Sequence, residues 1–126
     1  MDDDLPELGE LERAVMLLVW AHAPISAESV RERLGRPLKE STVRTVLRRL
    51  EEKGFVAHEV EGRTFLFRPV EDRRKVAAKA VRRIAAWFCN GSIEDVLVGI
   101  VDAKMLNKKQ LELLSQKIAQ AKSERK

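Results

Sequence analysis

Ser41-Thr-Val-Arg-Thr-Val-Leu-Arg-Arg-Leu-Glu-Glu-Lys-Gly54 is the stretch that decides the fold. Val43, Val46, Leu47 and Leu50 recur at i, i+3, i+4 and i+7, the spacing of one helix face. Ser41, Arg44, Thr45 and Arg48 repeat the spacing on nearly the opposite side, and from Ser41 onward no carboxylate appears until Glu51. Arginine offers paired donors to phosphate or to a guanine edge, and short hydroxyls donate to phosphate without blocking close approach. A helix with this division buries one side and lays the other against nucleic acid. Lys39, Glu40 and Ser41 can each be its first capping position.

Outward from this helix the pattern completes a small domain. Gly54 stands where a helix end wants a left-handed residue. Phe55-Val-Ala-His-Glu-Val60, a Glu61-Gly62 turn and Arg63-Thr-Phe-Leu-Phe-Arg68, closed by Pro69, read as a β-hairpin. Phe65 and Phe67 share one strand face and are expected to pack inward. Upstream, Leu11, Ala14, Val15, Leu18 and Val19 form an amphipathic stripe that Met16 and Trp20 broaden, until Pro24-Ile25 interrupts it. Ser26 then caps a second helix with Glu28 in its first turn, Val30 and Leu34 inward, and Gly35 at its end. Helix, short extended piece, helix, turn, helix and hairpin give a mainly α chain with a small β-hairpin: a winged helix-turn-helix.

The same residues carry a family resemblance. Leu8-Gly-Glu-Leu-Glu-Arg-Ala-Val-Met16 with Trp20, Thr42-Val-Arg-Thr-Val-Leu-Arg-Arg-Leu50, and Glu52-Lys-Gly-Phe-Val56 resemble the penicillinase repressor family, the BlaI, MecI and CopY repressors. The resemblance implies a dimeric repressor that binds a palindromic double-stranded DNA operator, with Thr42, Arg44 and Thr45 facing the DNA. The family often has Pro and Lys before that Thr, where this chain has Glu40 and Ser41. The penicillinase branch also implies an upstream membrane sensor protease that triggers cleavage between an Asn and a Phe. The matching positions here are Gly99-Ile100, so the scissile pair is not carried over. The copper-responsive branch has a cysteine-rich cluster that this sequence, with its single Cys89, does not match.

Composition fits this reading. The chain has 126 residues, 44% of them hydrophobic, and a formal net charge of +4, enough for a modest core. Asp2 to Glu12 hold only acidic charges, whereas Arg44 to Arg49 and Arg73 to Arg83 hold only basic ones. One cysteine excludes an internal disulfide framework, so a reducing cytoplasm is the expected compartment. No signal peptide is expected, and the apolar run Val15 to Ala21 is too short to span a membrane, so no membrane insertion is expected.

Beyond the Arg68-Pro69-Val70-Glu71 step, the helical pattern returns. An uninterrupted stretch from Val70 to Cys89 carries Val76, Ala77, Ala80, Val81, Ile84, Ala85 and Phe88 on one side, and Asn90-Gly91 breaks it. Ser92 caps a helix with Ile93, Val96, Leu97, Ile100 and Val101; Asn107 with Gln110 resembles a capping box opening another, with Leu111, Leu114 and Ile118. Three such helices have little to bury against in one chain, which points to an interface with a second copy. The expected organisation is a winged-helix DNA-binding domain over residues 1–69 and a helical dimerisation region over 70–126. The dimer is assigned to Val81, Ile84, Phe88, Val96, Leu97, Ile100, Leu111, Leu114 and Ile118.

Duller explanations exist for each feature. Arg44, Arg48 and Arg49 can be an ordinary solvated face paired with Glu40, Glu51 and Glu52; the wing and the family resemblance argue for DNA instead. Arg63 at the wing tip divides evenly between contact with DNA and plain exposure. Arg73-Arg74-Lys75 reads as a solubilising face, and Trp20, Trp87 and Phe88 as packing. His22 and His58 lie on separate elements, with no triad spacing and no phosphate loop, so no enzyme, cofactor or metal site is expected. The DNA-facing set is Ser41, Thr42, Arg44, Thr45, Arg48, Arg49 and Arg63. Two rivals stand beside it: a winged-helix protein-interaction module, and an effector- or metal-sensing regulator of another class.

Overall fold

The computed structural model describes residues 8–125; the acidic stretch from Asp2 to Glu7 lies outside them. The element order is α1 (Glu10–His22), α2 (Ala27–Leu34), α3 (Glu40–Glu52), β1 (Val56–Glu61), β2 (Thr64–Pro69), α4 (Arg73–Phe88), α5 (Ile93–Asp102) and α6 (Lys108–Glu124). The chain divides into two compact units, the first ending at Ala80 and the second beginning at Val81.

The first unit is a three-helix core with a hairpin. Ser26 Oγ accepts from the Ser29 N–H to start α2, and Gly35, at φ +64°, ends it in the left-handed region. α3 starts one position past Lys39, which is its N-cap, so Glu40 is its first helical residue. Val43, Val46, Leu47 and Leu50 are all buried, together with Val15, Met16 and Val19 of α1, Val30 of α2, Val56 of β1 and Phe67 of β2. The apolar phase read from the sequence is therefore the core itself.

β1 and β2 pair antiparallel, with Val56 opposite Pro69 and Glu61 opposite Thr64. The turn falls on Gly62-Arg63, one residue later than the sequence suggested, with Gly62 at φ +67° as a two-residue hairpin loop requires. Ile25 exchanges two backbone hydrogen bonds with Phe67, 3.0 and 2.8 Å, so the extended piece after α1 lies alongside β2. This ladder holds Phe67 inside. Phe65 was expected inside too, but it is 49% exposed. Two residues nearer the tip, the hairpin has already run past the three-helix core.

Polar contacts fix the helices at their ends. Glu12 accepts from the Gly9 N–H at 2.9 Å and from Lys53 Nζ at 3.0 Å, tying the start of α1 to the end of α3. Glu10 makes a two-point ion pair with Arg36 between α2 and α3. Past the hairpin, the Val70 N–H donates to the Phe55 carbonyl, and the Trp20 indole N–H to the Glu71 carbonyl at 2.9 Å. These bonds hold Val70 and Glu71 to the first unit. They also explain why α4 opens at Arg73, after the Asp72 carbonyl has accepted from Lys75 and Val76, rather than at Val70.

The second unit comprises the end of α4 with α5 and α6. Asn90 (φ +53°) and Gly91 (φ +85°) break α4, Ser92 caps α5, and Asn107 and Gln110 form a reciprocal capping box at α6. Its local signals are satisfied, but its apolar side chains are not. Ala85 is the one buried residue that α4, α5 and α6 hold. Phe88 is 78% exposed, and Trp87, Leu97, Met105, Leu113 and Ile118 are each more than half exposed. Of the residues assigned to an interface, Ile84, Phe88, Leu97, Leu111, Leu114 and Ile118 are exposed in the single chain, while Val81, Val96 and Ile100 are partly covered.

Two outcomes follow for stability. Leu47→Ala empties a fully buried site on α3 and should cost about 2–5 kcal/mol, read as a drop in denaturant midpoint at unchanged slope. The Gly9 N–H holds the Glu12 carboxyl below its usual value of 4.5, against an opposing burial penalty and with help from Lys53. A carboxylate lowered by folding contributes stability above its unfolded pKa and loses it as pH falls through the folded one. Glu12→Gln should therefore flatten the loss of stability below about pH 4.5 in denaturation curves taken from neutral to acid pH; parallel curves would refute the assignment.

Candidate nucleic-acid interface

Burial of one side of α3 leaves its other side facing the hairpin across an open groove of about 740 Å³. The groove gathers Ser41, Arg44, Thr45 and Arg48 from α3 with Arg63 from the hairpin tip. Thr42 and Arg49 are exposed on α3 but lie outside it. Arg49 instead adds to the positive field at Glu12, on the side of α3 that meets α1.

The exposed face of α3 also makes bonds along itself. Thr45 Oγ1 donates to the Ser41 carbonyl at 3.0 Å, and Arg48 Nη2 donates to Thr45 Oγ1 at 3.4 Å. Arg44 Nη2 donates to Glu40 Oε2 at 2.7 Å, one turn earlier. The ordinary pairing of Arg44 with Glu40 is thus present, and it sits within the groove rather than away from it.

Glu51, His58 and Phe65 also line the groove, and the sequence did not mark them as site residues. Glu51, at the end of α3, accepts from His58 Nδ1 of β1 at 2.8 and 2.9 Å when that nitrogen is protonated. The His58 ring stacks on Phe65 of β2, with centroids 4.3 Å apart and planes within 7°. Helix, first strand and second strand are thereby clasped at one point, which sets the spacing between the α3 face and the hairpin tip. Only the hairpin fold brings these residues together, so no sequence window contains the signal. Cβ alternation does place His58 opposite Phe67 and next to Phe65 once the register is known.

Charge in the groove is balanced. Arg44, Arg48 and Arg63 line it beside Glu28, Glu40 and Glu51. The strictly basic face read from Ser41 holds as far as Arg48, but the two ends of α3 supply Glu40 and Glu51, and α2 supplies Glu28. Among the described residues no three His, Cys, Asp or Glu side chains converge as a metal site would need.

The family described as penicillinase repressor matches residues 8–120. A penicillinase repressor of Bacillus licheniformis is 26% identical over 124 residues, 97% of each chain. The transcriptional regulator BlaI of Mycobacterium tuberculosis is 37% identical over 102 residues, 78% of this chain and 74% of that one. In fold alone, the PcaV transcriptional regulator of Streptomyces coelicolor superposes with a TM-score of 0.51, covering 94% of this chain and 77% of its own at 21% identity.

Proposed function

We propose, from the premise that this chain belongs to the penicillinase repressor family and is a DNA-binding transcriptional repressor, that it acts in the cytoplasm as a homodimer on a palindromic operator. One observation carries the DNA-reading part. A single helix, α3, is clamped by its buried stripe and turns Ser41, Arg44, Thr45 and Arg48 towards a groove closed on its far side by a hairpin. Such a helix enters the major groove of a half-site while the hairpin tip, with Arg63, follows the backbone or the adjoining minor groove. Thr42 and Arg49, exposed on the flanks of α3, are assigned to phosphates at the edges of the contact.

The exposed apolar surface of α4, α5 and α6 supports a division of labour near Pro69, with residues 70–126 as the dimer contact. So large an unpartnered surface is rare on a monomer, and a second copy offers the same apolar chemistry in return. Joining two half-site readers multiplies weak affinities through effective concentration. Occupied, the operator excludes polymerase; separating the protomers releases it. Gly99 lies in the interior of α5, where glycine weakens the helix, but a route through a sensor protease needs a cleavable pair other than the family's.

Arg44→Ala should leave the fold intact and cost roughly 1–3 kcal/mol per half-site in operator affinity, measured by fluorescence anisotropy. An unchanged affinity would remove the assignment of the α3 face. A dimer making about 6–10 phosphate contacts should lose on the order of a thousandfold in affinity between about 50 and 200 mM salt; near-flat binding would favour a protein-interaction module. Leu97→Asp places an unpaired carboxylate in the proposed contact and should yield a monomer by light scattering that keeps its winged unit folded, with weakened binding to the full palindrome. A Leu97→Asp protein that stays dimeric at wild-type affinity would move the interface elsewhere.

A further inference from the structure

Of the three groove carboxylates, Glu40 is the one that pairs with an arginine of the DNA-facing set. Glu40, the first residue of α3, lines the groove on the same side as Arg44, and its carboxylate lies 2.7 Å from the Arg44 guanidinium. Neither is buried: the two side chains are 38% and 68% exposed. Near phosphates such a carboxylate is repelled; Arg44 offsets part of this through its bond to Oε2, and a donor on the DNA facing the carboxylate would offset more. In the major groove the partners able to do so are the exocyclic amino groups of cytosine and adenine. Adenine sets its N7 acceptor directly beside that amino group, where it repels a carboxylate. Cytosine presents its amino group with no acceptor on the same base edge.

Arg44 supplies the complementary half. It bonds Glu40 through one Nη, which leaves further N–H donors of the guanidinium for a guanine O6 and N7. The two side-chain tips are 2.7 Å apart, less than the rise of about 3.4 Å between successive base pairs. They are thus confined to one base step. We infer that Glu40 and Arg44 form a single reading unit that selects a cytosine and a guanine at one step of each half-site, Glu40 accepting from the cytosine amino group and Arg44 donating to the guanine. Every other base opposite Glu40 meets it with an acceptor, so Glu40 adds discrimination and subtracts general affinity. This rests on the reading of α3 as the DNA-facing helix.

The experiment selects binding sites from a randomised double-stranded DNA pool with wild-type protein, Glu40→Ala, Glu40→Gln and Arg44→Ala, and measures each protein's affinity for a non-specific duplex. Wild type should enrich a motif with a cytosine and a guanine at one step per half-site. Glu40→Ala should lose the cytosine preference there, with about a tenfold fall in discrimination, while binding the non-specific duplex severalfold more tightly. Glu40→Gln should admit adenine at that position, because an amide both donates and accepts. Arg44→Ala should lose the guanine at the same step. Thermal midpoints report any loss from removing the acidic residue at the helix start, which an exclusively structural role would change without altering the motif. A wild-type motif that Glu40→Ala leaves intact, or a uniform loss of affinity on every sequence, would overturn this assignment alone. A wild type that selects no motif would overturn the DNA-facing reading of α3, and the assignment with it.

Discussion

The first unit depends on the burial of four residues along one side of α3. Val43, Val46, Leu47 and Leu50 meet α1, α2 and the hairpin in one contiguous core. An α-helix has only one phase: once this stripe is inside, the direction of every other α3 side chain is fixed to within a fraction of a turn. The orientation of Arg44 and Arg48 is therefore a product of packing energy, not of any interaction they make themselves. The ladder between Ile25 and Phe67 does the same for the hairpin, holding its base to the core and leaving its outer half to project. Groove and core are two sides of the same constraint.

The second unit obeys a different rule. Its caps, breaks and capping box are as well formed as those of the first unit, yet its helices bury one alanine between them. Local signals fix where helices begin and end; only partner surface fixes whether they are stable. Short isolated helices are marginal in water without tertiary packing. In the proposed homodimer that packing comes from the second copy, which makes order in this region and association one event rather than two. Coupling of this kind lets a modest insult to the contact have a large effect on assembly.

How legible all this was in the sequence follows from the range of each interaction. The α3 stripe, the Ser26, Ser92 and Asn107 caps and the breaks at Gly35 and Asn90-Gly91 are decided within a few residues, and each stands where the sequence places it. Phe65 was misjudged because alternation gives the face of a strand but not how far along it the core extends. The late start of α4 needed the bonds that Trp20 and Phe55 make with Glu71 and Val70, well beyond the reach of local pattern. The clasp of Glu51, His58 and Phe65 joins residues only seven apart, but it needs the strand register and the placement of the hairpin beside the end of α3, which no periodicity encodes. The Glu40–Arg44 pair was readable as an ordinary i, i+4 contact; its position inside the groove was not, since that needs the hairpin opposite.

The balance of charge in the groove bears on how such a repressor works. With three arginines and three glutamates in its lining, one winged unit gains less from phosphate neutralisation than its basic helix suggests. Sequence-independent affinity is the part of binding that scales with neutralised phosphates, so a single unit is held back from unproductive sites throughout a genome. The carboxylates lower general attraction and, when a base amino group meets Glu40, return part of that loss at the right sequence alone. In the proposed homodimer, specificity comes from the single unit, whereas residence comes from joining two of them, since the linked second site is engaged at high effective concentration. A repressor built this way is tight when paired and weak when single, and its release needs no change in the reading surface.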